Sequence, residues 1–188
     1  MTHAYREAYL RKAMTSIAVM FDYAINDFGI SSYDFVEMFI SSSISLRLEI
    51  GEPKYLTGMC GEELALRVIE ETTGIVPEAE AFVCFERSPD YWCGRVIAYY
   101  QWLSGVSYKE LFKIATYEEI RALYQTLHEA DITKFAEIME SRRRSLRRTT
   151  NLKRIRSAYG CSQSELASIS NVSLRSIQMY EQIGRAHV

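Results

Sequence analysis

The sequence predicts an all-α protein, and two observations support this prediction. Its 188 residues include only 9 Gly and 3 Pro, too few for a loop-rich β-sandwich, while helix-favouring residues such as Leu, Ala, Glu and Arg are plentiful. Apolar residues also recur at steps of three and four, as on one face of a helix. With 48% apolar and 24% charged residues, the chain fits a soluble globular protein of one or two small domains. Collagen, low-complexity and disordered classes are excluded.

The first three helices follow from apolar stripes. The first lies between His3 and Phe28 and ends at Gly29. The second begins at a capping Ser31 or Ser32 and runs until residues 51–53 break the pattern. A third is expected over residues 62–72, before Gly74. The stripes of the first two helices consist of Leu10, Met14, Ile17, Phe21, Ala24, Ile25 and Phe28, and of Phe35, Val36, Phe39, Ile40 and Ile44.

Capping residues mark the later helices. Ser88 followed by Pro89 predicts the start of a helix over residues 91–103 that ends at Gly105. Ser107 is a further cap, and Thr116 with Glu119 forms a capping box. Asp131 opens a helix that starts at Ile132 and can run into an arginine-rich stretch. Residues 75–88 fit either a short strand or a buried connector, and we treat them as a loop.

Charge divides the chain near residue 140. Residues 1–140 carry 12 Lys and Arg against 22 Asp and Glu, net −10, whereas residues 141–188 carry 10 against 2, net +8. Such asymmetry indicates a nucleic-acid-binding end attached to an acidic body. The arginine-rich stretch at 141–150 is predicted to be a basic linker, helical or flexible. It is either a solvated helix end or an arm that contacts phosphates or the minor groove.

The last part of the chain has the pattern of three short helices joined by tight turns. Gly160 stops the first, and Ser162 with Glu165 caps the second. Asn171 occupies a position that needs a left-handed conformation, and Ser173 caps the third helix. Small Ala167 permits close packing of the last two helices. We expect a core of Ile155, Leu166, Val172, Ile177 and Tyr180. This arrangement is a helix-turn-helix.

Residues 151–182 resemble the phage-repressor and Cro-type helix-turn-helix, also called the XRE family. The family pattern is met by Gln163, Ala167, Asn171, Val172, Ile177, Tyr180 and Glu181. Asn171 departs from it, since the family more often has Gly at the turn, but Asn tolerates a positive φ. The resemblance implies a DNA-binding module whose third helix lies in the major groove.

The resemblance also implies roles for single residues. Gln163 is expected to bind a backbone phosphate, and Arg175 to read a guanine. Ser173, Leu174 and Met179 share the outward face, where the two apolar side chains contact thymine methyl groups. Arg156 and Glu181 match a structural ion pair of some family members, with Arg156 also near a phosphate. Lys153 and Arg154 complete the predicted DNA-binding set.

Each of these residues also has a simpler interpretation. Arg175, Lys153 and Arg154 are ordinary solvated charges if no DNA is bound. Leu174 and Met179 would pack on further helices in a longer domain. Family domains have about five helices, so we expect the module here to be incomplete. Residues 183–188 match the translation of a sequencing adapter, ATC GGA AGA GCA CAC GTC, and we expect an artefactual tail.

No cofactor or metal is expected, because the sequence has no phosphate loop, GxGxxG, HExxH, nucleophile elbow or zinc-ligand spacing. Four separated cysteines, Cys60, Cys84, Cys93 and Cys161, suggest reduced, mostly buried side chains and a cytoplasmic protein.

One predicted helix is rich in aromatic residues, which either pack in the core or line a groove for a partner: Tyr91, Trp92, Tyr99, Tyr100 and Trp102. The conceivable acid–base groups are His128-Glu129 with Asp131, Glu62-Glu63 and Glu118-Glu119. No membrane segment is expected.

The leading hypothesis is a bacterial transcription regulator that binds double-stranded DNA, as a homodimer on operator half-sites. The acidic helical domain at 1–140 would then supply dimerisation, effector sensing or partner binding. A second hypothesis makes that domain an antitoxin-like module that neutralises a basic partner, with the tail used for autoregulation. A third, an enzyme of unknown reaction, has no motif behind it, so we expect a protein that is not an enzyme.

Overall fold

The computed structural model describes residues 3–75 and 88–182. Within these ranges all regular structure is helical and no strand occurs, so the all-α prediction is confirmed there. The predicted loop at 75–88 lies almost wholly outside the described residues, as do Cys84 and the tail at 183–188. The chain divides into two compact units, Met1–Glu137 (unit 1) and Ile138–Val188 (unit 2), and each is considered by itself.

Unit 1 is built from helices of very different lengths. The longest helix that lies wholly inside it has 16 residues, and several are only one or two turns. Their bounds are a 3₁₀ turn at Glu7–Tyr9, α1 Leu10–Asp22, a π-helical turn at Tyr23–Asp27, α2 Ser32–Ser41, α3 Ser43–Glu49, α4 Pro53–Thr57, α5 Gly61–Thr73, α6 Pro89–Ser104, α7 Tyr108–Ile114, α8 Tyr117–Ala122 and α9 Tyr124–Leu127, followed by α10 at Ile132–Ala158.

Helix α1 lies at the centre of unit 1 and packs against α5 and α6. Two glycines permit this close approach. A Cβ on Gly94 would lie 2.6 Å from the Ala18 Cα, and one on Gly61 would overlap the carbonyl oxygen of Ser16. Ile17 and Phe21 of α1 are fully buried, and the Phe21 ring packs against Phe35 of α2 and Tyr117 of α8. The predicted apolar stripe therefore faces the core.

The predicted helix starts are confirmed by hydrogen bonds. Ser31, Ser88, Ser107 and Thr116 each accept a backbone N–H of the following turn through the side-chain oxygen. Asp131 accepts the Thr133 N–H at 2.9 Å. Predicted stops at Gly29, Gly74 and Gly105 all have positive φ, which a glycine adopts without strain.

The second predicted helix is divided, which the apolar spacing did not indicate. Ser42 has extended backbone angles and separates α2 from α3. The Glu71 carboxylate accepts both the Ser43 N–H, at 2.6 Å, and the Ser43 hydroxyl, at 2.9 Å. Because this cap comes from a residue 28 positions away, local periodicity gives no sign of it. The Pro53 that breaks the pattern also begins α4.

The aromatic-rich helix α6 contributes to the core. Tyr100 and Trp102 are almost fully buried, so the core interpretation is confirmed for both. The Trp102 indole N–H donates to the Tyr5 carbonyl at 2.9 Å, and the His3 ring stacks on Trp102 with centroids 3.8 Å apart. These contacts fix the start of the chain against α6. In the described part of the chain, no helix combines the length and apolarity needed to cross a bilayer.

Candidate nucleic-acid interface

Unit 2 contains α10 from Ile138 onward and two short helices, α11 Gln163–Ser170 and α12 Leu174–Gln182. The basic stretch at 141–150 belongs to α10, so it is helical, one of the two predicted alternatives. Gly160 follows α10 with a φ of 61°. Ser162 and Glu165 form the predicted capping box, with the Ser162 N–H donating to Glu165 Oε2 at 2.7 Å. The predicted start of α11 is therefore confirmed.

A tight turn joins α11 to α12. Asn171 has φ 55° and ψ 30° and donates its N–H to the Ala167 carbonyl. It is the one non-glycine residue with positive φ in residues 3–75 and 88–182. Ser173 then accepts the Ser176 N–H at 3.1 Å and caps α12. The predicted left-handed residue and the predicted cap are both confirmed.

The predicted core of unit 2 is only partly correct. Ile177 is buried, with 4% of its surface exposed, whereas Ile155 is 52% and Tyr180 49% exposed. Val172 is also exposed and Leu166 is half-buried. The prediction was therefore wrong for Ile155, Val172 and Tyr180. Three short helical segments supply too few side chains to cover every apolar face.

The predicted ion pair between Arg156 and Glu181 is confirmed, and its geometry is bidentate. Arg156 Nε lies 2.6 Å from Glu181 Oε1, and a terminal guanidinium nitrogen lies 2.8 Å from Oε2. The third nitrogen donates to the Cys161 carbonyl at 2.7 Å. The hydrogen bonds from Arg156 hold the pKa of the Glu181 carboxyl below its usual range. Each guanidinium nitrogen thus makes one hydrogen bond inside the unit, and the two terminal nitrogens each keep a second N–H, so the expected phosphate contact of Arg156 remains a prediction.

Gln163 also joins this pair, which sequence reasoning missed. Its side-chain Nε2 donates to Glu181 Oε2 at 2.7 Å. The two residues lie 18 positions apart, on different helices, so no local pattern connects them. The bond fixes the amide at the first residue of α11 and leaves its second amide hydrogen for another acceptor. The expected phosphate contact of Gln163 remains a prediction.

One face of α12 points away from Ile177. Leu174 is 41% and Met179 54% exposed, and Arg175 is exposed as well. Arg175 and Met179 are four residues apart and therefore lie one turn from each other on the same side. Ser173 and Leu174 are exposed at the start of the helix, but they precede Ile177 by four and three residues and therefore lie nearer its side. Together the exposed residues offer a guanidinium, a hydroxyl and two apolar groups, which can contact the edges of bases in a major groove.

Basic side chains are concentrated on α10. Lys153 and Arg154 are exposed, as are Arg144 and Arg147. Arg143 and Arg144 lie 3.6 and 3.4 Å from the carboxylate oxygens of Glu140, so part of their charge is offset locally. The helix nevertheless has a strong excess of positive charge in its second half, which favours contact with a polyanion.

Sequence reasoning missed a buried polar cluster in unit 1. The Asp90 carboxylate, 2% exposed, accepts the Tyr117 hydroxyl and the Arg121 Nε, both at 3.0 Å. Asn26 Nδ2 donates to the Asp22 carboxylate at 2.8 Å, and Ser88 is hydrogen-bonded to the same carboxylate. The cluster joins α1, α6 and α8 around groups that would be costly to bury unpaired. The local sequence around Asp90, Ser88-Pro89-Asp90, indicates only that a helix starts there.

The cysteines are less buried than expected. Cys93 is buried, and this burial raises its pKa to about 12, but Cys60 is exposed and Cys161 half-buried. The expectation of mostly buried cysteines was therefore wrong for Cys60 and Cys161. Cys60 stands at the start of α5, where its N–H donates to Glu63 Oε2 at 2.9 Å. The start of α5, where Cys60 caps the helix, lies at the surface, so the Cys60 side chain is exposed.

The conceivable acid–base group His128 makes local contacts. Its Nδ1 lies 2.8 Å from the Tyr124 carbonyl oxygen, and its Nε2 lies 3.7 Å from the carboxylate of Glu129, which is largely exposed. Among residues 3–75 and 88–182, no three His, Cys, Asp or Glu side chains gather as metal ligands would.

Comparison with protein-family models, with curated proteins and with solved structures finds no match for this chain.

Proposed function

We propose that the chain is a sequence-specific DNA-binding transcription regulator of the helix-turn-helix type. The observation that carries the proposal is the pair of capped helices joined through Asn171, with Arg175 and Met179 one turn apart on the exposed side of the second helix and Leu174 exposed at its start. An α-helix fits the major groove of B-DNA, where each base pair presents a distinct set of contacts. In this proposal α12 enters that groove.

The roles of single residues follow from chemistry and position. Arg175 donates two hydrogen bonds to the O6 and N7 of a guanine. Leu174 and Met179 contact thymine methyl groups. The second amide hydrogen of Gln163 donates to a phosphate, and Glu181 fixes the amide for that contact. Lys153 and Arg154 add phosphate contacts that do not depend on sequence.

The charge distribution supports the same proposal. The +8 charge of residues 141–188 attracts phosphates, while the −10 charge of residues 1–140 repels them. DNA would therefore be contacted through the basic end, which restricts the orientation of binding. We further propose that two copies bind together, because a homodimer places two recognition helices on half-sites of a palindrome.

Selection from a random pool of double-stranded DNA tests the proposal without a known operator. The full chain is expected to enrich one motif, and Arg11→Ala, which removes an exposed arginine from α1, should enrich the same motif. Arg175→Ala should relax the preference at one guanine position. Failure of the unmodified chain to enrich any motif would contradict sequence-specific binding, and an unchanged motif with Arg175→Ala would remove that residue from base recognition.

A further inference from the structure

The methionine side chains of the chain differ in their exposure to solvent. Met179 of α12 is 54% exposed, and it is the only exposed methionine within residues 3–75 and 88–182. The other methionines of these ranges are half-buried, as are Met38 and Met59, or buried, as are Met14, Met20 and Met139. Because an oxidant must reach the sulfur atom to oxidise it, the Met179 thioether is the most accessible target of this kind.

Met179 lies on the side of α12 that the proposed function uses. It stands one turn from Arg175, which is exposed as well, whereas Ile177 between them is buried in the core of unit 2. A change in the polarity of the Met179 side chain therefore alters the exposed surface of α12 and leaves the packing around Ile177 in place.

Oxidation of a methionine converts a flexible apolar side chain into a polar sulfoxide. In the proposed complex Met179 contacts a thymine methyl group, which offers the sulfoxide oxygen no hydrogen-bond donor. The oxidised chain would have to bury a polar group without a partner when it binds DNA, and such burial is unfavourable. The thioether form is the one that fits this contact.

Two of the described cysteines are held in their less reactive form. The thiolate is the nucleophilic form of cysteine. Partial burial raises the pKa of the Cys60 thiol, and burial raises the pKa of Cys93 to about 12. Cys161 is half-buried, and its Sγ donates to the Ser162 carbonyl oxygen at 3.4 Å. Reversible cysteine oxidation can also be distinguished chemically, because methionine sulfoxide is reduced only by its own reductases.

We propose that Met179 is a reversible oxidation site through which an oxidant of the peroxide class weakens DNA recognition. The Met179 sulfur attacks one oxygen of the peroxide and the O–O bond breaks. That oxygen stays on the sulfur as the sulfoxide, and with hydrogen peroxide the other oxygen leaves as water with both hydrogens. The sulfur loses the two electrons that the peroxide gains. The inference rests on the proposed function, because the modified group lies where α12 would contact the bases.

Peptide mass spectrometry on the full chain tests the chemical step without DNA. The chain is treated with limiting hydrogen peroxide and then with dithiothreitol, which returns sulfenic acids and disulfides to thiols. The peptide that contains Met179 should gain the mass of one oxygen atom before the peptides that contain Met38 and Met59. Equal or faster oxidation of either half-buried methionine would overturn the proposal.

Fluorescence anisotropy with the duplex selected by the unmodified chain tests the effect on recognition. Oxidation at Met179 should weaken binding about tenfold, the order expected for one polar group buried without a partner. Methionine sulfoxide reductases should restore the affinity. Met179→Leu keeps an apolar side chain of similar volume, so this variant should bind nearly as tightly as the unmodified chain and should not respond to peroxide.

The outcomes separate this inference from the proposed function. If the reduced chain selects no duplex, the proposed function fails and the inference fails with it. If the reduced chain binds its duplex and a sulfoxide at Met179 leaves the affinity unchanged, only the inference fails. An equal loss of affinity after peroxide treatment of Met179→Leu would assign the effect to other residues and would also overturn the inference.

Discussion

At the scale of single residues, Arg156 connects three parts of unit 2. Its guanidinium contacts Glu181 on α12 and the Cys161 carbonyl in the turn after α10. Glu181 in turn accepts the Gln163 amide of α11. Ion pairs of this kind hold their elements together because removal of one partner leaves a poorly solvated charge. The pair was predictable from the resemblance, whereas the Gln163 contact depends on how α11 and α12 meet.

We expect the stability of unit 2 to fall in acid because of Glu181. The lowered folded-state pKa means that its contribution is complete above the ordinary unfolded pKa of Glu, about 4.3, and is lost as pH falls through the folded-state value. Unfolding followed by amide signals of α11 and α12 from about pH 7 to about pH 3 checks this. Glu181→Gln should be less stable at neutral pH and should lose this part of the acid dependence.

Glu165 provides a matched control for that measurement. Hydrogen bonds from Ser162 also lower its pKa, so it titrates in the same direction, but it caps only α11. Glu165→Gln should therefore retain the share of acid sensitivity that belongs to Glu181. If Glu181→Gln and the unmodified chain show the same pH profile, the ion pair does not stabilise unit 2.

Arg175 is the residue whose loss should affect DNA recognition most. We expect Arg175→Ala to weaken the binding of a selected duplex by about 1–3 kcal/mol, since it removes a bidentate contact to one base. Fluorescence anisotropy with the selected duplex and a shuffled duplex measures the change. The loss should be confined to the selected sequence, and Arg11→Ala should leave both affinities nearly unchanged. An equal loss on both duplexes would instead make Arg175 a phosphate contact.

At the scale of elements, the turn between α11 and α12 depends on one backbone conformation. Asn171 adopts a left-handed conformation that costs most L-residues about 1–2 kcal/mol. Asn171→Val should therefore destabilise unit 2 by about 1 kcal/mol or more, because a β-branched residue is strained there. Asn171→Gly should be tolerated, which makes it the matched control. Thermal unfolding of both variants checks this, and equal stability would contradict a conformational role for Asn171.

Contact between α1 and α6 depends on Gly94. A Cβ at this position would lie 2.6 Å from the Ala18 Cα and 2.7 Å from the Ile17 carbonyl oxygen, both backbone atoms. Gly94→Ala should therefore destabilise unit 1 by about 1–3 kcal/mol through overpacking. Denaturant unfolding measures it against Glu37→Ala, an exposed position on α2, which should change stability by less than about 0.5 kcal/mol. An unaffected Gly94→Ala variant would show that the helices can separate at little cost.

Local signals in the sequence predict the elements better than their assembly. Ser31, Ser88 and Thr116 mark helix starts because their caps involve neighbouring residues only. The break at Ser42 was not predictable, since the Glu71 carboxylate that caps α3 lies far along the chain. The Asp90 cluster was missed because its partners, Tyr117 and Arg121, also lie far along the chain from Asp90.

At the scale of the whole molecule, the two units differ in charge and in how fully they are covered. Large apolar side chains of unit 1 are mostly buried, whereas unit 2 exposes Ile155, Tyr159, Ile169, Met179 and Tyr180. The net charge changes sign near residue 140, and the first compact unit ends at Glu137, inside α10. Charge alone does not single out one candidate face of unit 2, because exposed basic residues follow α10 whereas the exposed side of α12 combines Arg175 with Met179.

The most direct test is to map a selected DNA duplex on the full chain by two-dimensional ¹H–¹⁵N NMR. We expect the amide signals of residues 162–163 and 173–179 to shift on titration, with smaller changes near Lys153 and Arg154. Amides of residues 3–75 and 88–131 should stay in place, because the acidic unit is repelled by phosphates. Shifts confined to the acidic unit, or none in α12, would contradict recognition of DNA by this helix.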